Sequence, residues 1–282
     1  MANRLKFSKM QGLGNDFMVI DAIHQSVDLT TEEIRAWSDR HFGVGFDQLL
    51  LVEATDSEGV DFRYRIYNAD GSEVQQCGNG ARCFAKFVYD KGLIDRKEIT
   101  VETASGVIVL YVTDHGEVKV NMGPPNFSPN SLPFNVPTES DAYQLEVDGE
   151  MYEVGAVSMG NPHAVLRVTD IGSAPVETLG EKLESHPAFP ERVNVGFAER
   201  QDASHIKLRV YERGAAETLA CGTGACAAMV FYRKQNEVED RVVVTLPGGT
   251  LTIEWDGDPA HPVWMTGPAV MVFDGEIDRG ER

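Results

Sequence analysis

At 282 residues, 42% hydrophobic and 24% charged, the chain has a globular composition and is long enough for one large domain or two ordinary ones. Its formal net charge of −19 argues against nucleic acid or an anionic membrane as a partner, since either requires a basic face. Four cysteines are too few for a disulfide scaffold, residues 1–10 do not read as a secretory leader, and no apolar run approaches the roughly 20 residues that span a bilayer, so the expectation is a cytoplasmic protein with free thiols.

Residues 5–8 and 17–20 read as strands on either side of the turn Gln11-Gly12-Leu13-Gly14-Asn15-Asp16. Thr30 with Glu33 forms a capping box that starts a helix running through Trp37. The turn at 43–48, which contains Gln48, leads into the apolar run 49–52, and residues 62–67 alternate as a strand should. Asn68-Ala69-Asp70-Gly71 then turns the chain toward Cys77.

Cys77-Gly78-Asn79-Gly80 opens an apolar helical run in which Phe84, Phe87 and Val88 share one face, with a stop at Gly92. Residues 99–102, 107–113 and 118–122 read as strands. A stretch with prolines at 124, 125, 129, 133 and 137 has the composition of a linker. The expected division is an N-terminal domain over 1–123, a linker over 124–140 and a C-terminal domain over 141–282.

The second half repeats the first. Arg65-Ile66-Tyr67 returns as Arg209-Val210-Tyr211, Cys77-Gly78 as Cys221-Gly222 and Gly123-Pro124 as Gly267-Pro268, at one shared spacing of 144 positions (65 and 209, 77 and 221, 123 and 267). Asn15 and Asn161 also match, at a slightly different spacing. Cys77 and Cys221 are in register, whereas Cys83 aligns with Ala227 and Cys226 with Arg82, so these last two cysteines are expected to be small buried helix residues.

Each in-register cysteine stands at a predicted helix start, where unpaired N–H groups and the macrodipole lower a thiol pKa and can hold a carboxylate. If the two starts converge, one thiolate can remove an α-proton while the opposite thiol returns one. No lysine lies in either repeated motif to carry pyridoxal phosphate, and neither C-x-x-C nor Cys/His zinc spacing is present, so no cofactor and no metal are expected.

These motifs, together with Gly160-Asn161-Pro162-His163 and Glu212-Arg213-Gly214, resemble the diaminopimelate epimerase family over nearly the whole chain. The resemblance implies an α/β (α+β) fold of two similar domains, each a β-rich sheet wrapped around a central helix, with the active site in the cleft between them. It implies cofactor-independent interconversion of LL- and meso-2,6-diaminopimelate, with Cys77 and Cys221 as the acid/base pair. It further implies that Asn15, Gln48, Asn68, Asn161, Asn194, Glu212 and Arg213 contact this small-molecule substrate, that Gly78-Asn79 and Gly222-Thr223 hold the reacting carboxylate, that His163 and Glu212 tune the thiols, and that the protein is a homodimer. Proline and hydroxyproline racemases share the two-cysteine logic but act on a one-ended substrate. Glu212 and Arg213 suit a two-ended one, the guanidinium gripping a distal carboxylate and Glu212 a distal ammonium.

Overall fold

A computed structural model describes residues 4–74 and 78–279. The chain divides into two compact units, Met1–Val120 with Gly267–Arg282, and Asn121–Thr266. The first half runs β1 (Arg4–Gly12), β2 (Asn15–Asp21), α1 (Thr31–Ser38), β3 (Gln48–Glu53), β4 (Phe62–Asn68), β5 (Glu73–Val74), α2 (Gly78–Asp90), β6 (Glu98–Thr103), β7 (Gly106–Val112) and β8 (Val118–Asn121). The second half runs β9 (Tyr143–Val147), β10 (Glu150–Ser158), β11 (Pro162–Arg167), α3 (Val176–Glu184), β12 (Asn194–Arg200), β13 (His205–Glu212), β14 (Ala216–Thr218), α4 (Gly222–Lys234), β15 (Arg241–Leu246), β16 (Gly249–Glu254), β17 (Trp264–Gly267) and β18 (Val270–Asp278).

The two units share one strand-pairing scheme. In the first, β2 runs parallel to β3, β3 antiparallel to β4 and β4 parallel to β6; in the second, β11, β12, β13 and β15 stand in the same relations. Register is kept as well: Leu49 lies opposite Tyr67 as Val195 lies opposite Tyr211. The outer neighbour of β1 is β18, and that of β10 is β9, so the last strand of the chain completes the first unit.

Sequence alternation explains the strands. In β4, Phe62, Tyr64 and Ile66 point inward, and in β13 Ile206, Leu208 and Val210 do the same. Inside each sheet lies one helix. Cys83, Phe84, Phe87 and Val88 of α2 are buried, with Phe84 edge-on to Phe62 and Tyr64, and each large side chain buried this way contributes roughly 1.5–3 kcal/mol. From Gly224 to Tyr232 every residue of α4 is buried, the pattern of a helix enclosed on all sides.

The shorter helices pack outside. The Thr30 capping box is present, Thr30 Oγ1 accepting from Glu33 N (3.2 Å) and Glu33 Oε2 from Thr30 N (3.0 Å), and α1 buries Ile34 and Trp37 against Leu49 and Leu51. Helix α3 buries Val176, Leu179 and Leu183 in the corresponding cluster of the second unit. The proline-rich stretch is packed rather than loose. Leu132 and Phe134 enter that cluster, Phe134 stacks on Phe189 at 4.3 Å, and Asn126 bridges to Ser158.

Candidate active site

In the second unit, Cys221 is the N-cap of α4, with extended backbone (φ −122°, ψ 106°), and Ala225 N donates the first helical hydrogen bond to its carbonyl at 3.0 Å. Glycine at 224 gives the thiol its room, because a Cβ would lie 3.2 Å from Cys221 Sγ and 3.0 Å from Val210 Cγ2, so that both side chains would have to give way. The buried thiol donates to Glu212 Oε2 at 3.1 Å, while Thr218 Oγ1 donates to Glu212 Oε1 at 2.5 Å, so both carboxylate oxygens are occupied.

This arrangement corrects the expectation of a lowered thiol pKa. Burial first, then the Glu212 charge and its hydrogen bond, push the Cys221 thiol well above its ordinary value, against smaller opposing contributions from the Thr223 hydroxyl and the Gly224 N–H. A helix start favours a thiolate, but here the sulfur is buried and a carboxylate faces it, and these outweigh the helix. Cys221 therefore rests as a thiol, a proton donor with an acceptor already in contact. Its Sγ also lies 3.6 Å from Thr223 Oγ1.

His163 is buried on β11, and Asn161 Oδ1 accepts from its Nε2 at 3.1 Å. Burial, with a smaller contribution from the Arg213 charge, lowers its pKa to about 3, so the ring is neutral. The parallel pairing of β11 and β12 sets His163 beside Asn194. Asn194 is buried, donates from Nδ2 to Pro162 O (3.0 Å) and accepts Arg213 N at Oδ1 (2.9 Å). The second unit thus gathers Asn161, His163, Asn194, Glu212, Arg213, Cys221, Gly222 and Thr223 on the ends of β11, β12 and β13 and the start of α4.

The first unit carries the matching set. Asn15 begins β2, Gln48 begins β3, Asn68 ends β4, and Gly78 and Asn79 begin α2. Cys77 itself lies outside the described residues. Asn79 Nδ2 donates to Asn15 Oδ1 at 3.3 Å, and Gln48 Nε2 donates to Asn68 Oδ1 at 3.0 Å. Gln48 Oε1 is buried with no hydrogen-bond partner, an acceptor left open for an incoming N–H group. Glycine at 80 is required here too, since a Cβ would lie 2.4 Å from Tyr64 Oη.

Several supporting residues gave no signal in the sequence. Asp47 accepts Asn15 Nδ2 at 3.0 Å and Asp16 N at 3.1 Å, while Arg40 grips both oxygens of Asp16 at 2.8 and 2.9 Å and Lys9 adds an ion pair at 2.6 Å. Burial alone would raise the Asp16 carboxyl; the Arg40 and Lys9 hydrogen bonds and charges outweigh it and hold it well below the usual range. Arg82, fully buried, donates to Asn79 Oδ1 at 3.0 Å and so fixes the orientation of that amide. The partners around Asn15 and Asp16 are seven to 32 positions apart, which no local pattern marks, whereas Asn79 and Arg82 are helical neighbours three apart. Cys83 and Cys226 are buried within α2 and α4, as expected of small helix residues. Among the described residues no cluster of three or more His, Cys, Asp or Glu could hold a metal ion.

The sequence model of the family described as diaminopimelate epimerase matches residues 7–128 and 155–272. The chain is 58% identical over 276 residues to the diaminopimelate epimerase of Thioalkalivibrio sulfidiphilus, covering 98% of this chain and 99% of that one, and 57% identical over 273 residues to that of Pseudomonas fluorescens, covering 97% and 99%. Among solved structures, a hydroxyproline epimerase from Agrobacterium vitis aligns with a TM-score of 0.69 at 15% identity, over 100% of this chain and 95% of that one. A phenazine biosynthesis protein of the PhzF family from Bacillus anthracis aligns with a TM-score of 0.67 at 18% identity, over 98% and 99%. At these identities the two structures share the fold alone. With a family match across both halves and a majority of positions identical to its members, this chain belongs to the diaminopimelate epimerase family.

Proposed function

We propose that this chain epimerises LL-2,6-diaminopimelate to meso-2,6-diaminopimelate, a step in lysine and peptidoglycan precursor biosynthesis, by proton transfer between two cysteines without a cofactor. The observation that carries the reading is the buried Cys221 thiol held by Glu212 at the start of α4. An amino-acid α-proton is a very weak acid. Its removal requires that charge developing on the carboxylate be met by preorganised donors, and the first N–H groups of α4 at Gly222 and Thr223, with those of α2 at Gly78 and Asn79, are of that kind.

In the proposed step a Cys77 thiolate takes the α-hydrogen as a proton, the electron pair passes into the carboxylate as an enediolate, and Cys221 gives its proton to the opposite face of the carbon. Cys221 then holds the thiolate, Cys77 the thiol, and the reverse reaction runs the same atoms backward. Glu212 favours the thiol form of Cys221 through its charge, and neutral His163 adds no competing cation. Arg213 would bind the distal carboxylate, and Gln48 Oε1, with Asn15, Asn68, Asn161 and Asn194, would receive the ammonium groups. Glu212, spent on Cys221 and Thr218, is not the partner of a distal ammonium that the sequence suggested, so the preference for a two-ended substrate over proline rests on Arg213. A homodimer fits the exposed apolar row Val270, Val272 and Phe273 on β18, and a cytoplasmic setting fits chemistry that depends on reduced thiols.

The test is incubation of purified, reduced protein with LL-diaminopimelate and separately with L-proline, without added cofactor, followed by chiral analysis. Conversion of the first alone supports the proposal; racemised proline with unchanged diaminopimelate rejects it.

A further inference from the structure

We propose that Glu184, outside the set described above, is a positioning residue for Arg213 and so for recognition of the substrate's distal end; this rests on the assignment of Arg213 to that end. Glu184 is the last residue of α3 and is only 4% exposed. Its Oε1 accepts Gly214 N at 3.0 Å and lies 3.3 Å from Arg192 Nη1, while its backbone carbonyl accepts Val193 N at 3.1 Å. The same carboxylate therefore ties together the segment 191–194 and the turn at 213–214. Arg213, in that turn, is held by both ends of the segment: its N donates to Asn194 Oδ1 at 2.9 Å and its Nη1 to Glu191 O at 3.2 Å.

The internal repeat serves as a control for what the fold alone requires. Ser38, the last residue of α1, stands in the first unit where Glu184 stands in the second, and its backbone carbonyl likewise accepts an N–H, from Phe46 at 3.3 Å. Its side chain also reaches the matching turn, with Oγ 3.1 Å from Ala69 O and 2.9 Å from Arg35 O, its one proton shared between the two carbonyls. By the shared register Ala69 corresponds to Arg213. A neutral hydroxyl therefore suffices where the turn presents alanine. A buried carboxylate, costly to desolvate, is used in the copy whose turn presents arginine.

The experiment compares the parent with E184S, which installs the residue used in the first unit, E184Q, which keeps an acceptor oxygen, R213A, and the double variant R213A/E184S. KM and kcat for LL-diaminopimelate and the melting temperature are measured for each. Losing the charged acceptor of the Gly214 N–H should raise KM in E184S about tenfold or more while kcat stays within about threefold, and E184Q should restore most of the parent KM. In the R213A background E184S should raise KM no further. An E184S enzyme with lowered melting temperature but parent KM, while R213A raises KM, overturns the inference; a parent KM in R213A overturns the Arg213 assignment and the inference with it. Should E184S not fold, E184D, which withdraws the same acceptor by one methylene, must show the KM rise, and parent KM there overturns the proposal equally.

Discussion

Cys221 Sγ and Glu212 Oε2 stand 3.1 Å apart, a thiol donor and a carboxylate acceptor in contact before any substrate arrives. Because the Glu212 charge is a principal cause of the raised thiol pKa after burial, Glu212→Gln should bring the Cys221 thiolate in at lower pH. The check is the pH dependence of Cys221 alkylation, located by peptide mapping. An unchanged or rising midpoint in the variant would leave burial as the sole cause.

The same raised thiol pKa sets an alkaline limit on stability. A proton held more tightly by the folded state stabilises it fully below the ordinary thiol pKa near 9.0, and that contribution fades as pH climbs above it. Urea midpoints should therefore fall more steeply above pH 9 in the parent than in Cys221→Ala. Parallel curves would contradict this.

His163 sets an acid limit with the opposite sign. Its folded pKa, depressed to about 3, means that the unfolded chain binds a proton the folded chain refuses, so its stabilising contribution is present above the ordinary value of 6.5 and is lost as pH falls from there toward about 3. The loss should be on the order of a few kcal/mol across that window, and His163→Asn should flatten it. Denaturant unfolding at pH 7 and pH 5 measures both slopes, and equal slopes would show that His163 does not titrate this way.

Gly80 and Tyr64 form a steric pair. The Cβ of Gly80→Ala would meet Tyr64 Oη at 2.4 Å, so the substitution should cost about 1–3 kcal/mol, and Tyr64→Phe in the same chain should recover part of it. Additive losses in the double-mutant cycle would mean that the helix moves instead.

Much of this was legible in the sequence because it is written in local or periodic signals. The Thr30-Glu33 capping box, the alternation of residues 62–67, the apolar face of Phe84, Phe87 and Val88 and the 144-residue repeat each correspond to an observed element. The doubling of the pairing scheme was implied by Arg65-Ile66-Tyr67 and Arg209-Val210-Tyr211, which lie on β4 and β13. Contacts between distant positions were not legible. Lys9, Arg40 and Asp47 around Asn15 and Glu184 on the Arg213 turn become apparent only once strands are paired. The sign of the Cys221 shift also depended on a tertiary contact, because a helix start argues for a thiolate until Glu212 is found against the sulfur. The return of β18 to β1 joins residues more than 250 positions apart, beyond any local pattern.

The most direct test of two-cysteine proton transfer is isotope incorporation in D2O during the first turnovers from LL-diaminopimelate. Two bases take a proton from one face and give one to the other, so early meso product should carry deuterium at the inverted carbon while recovered substrate stays largely protiated. Both Cys77→Ala and Cys221→Ala should abolish inversion. Protium-rich product from early turnover, or either variant inverting at near the parent rate, would contradict the account.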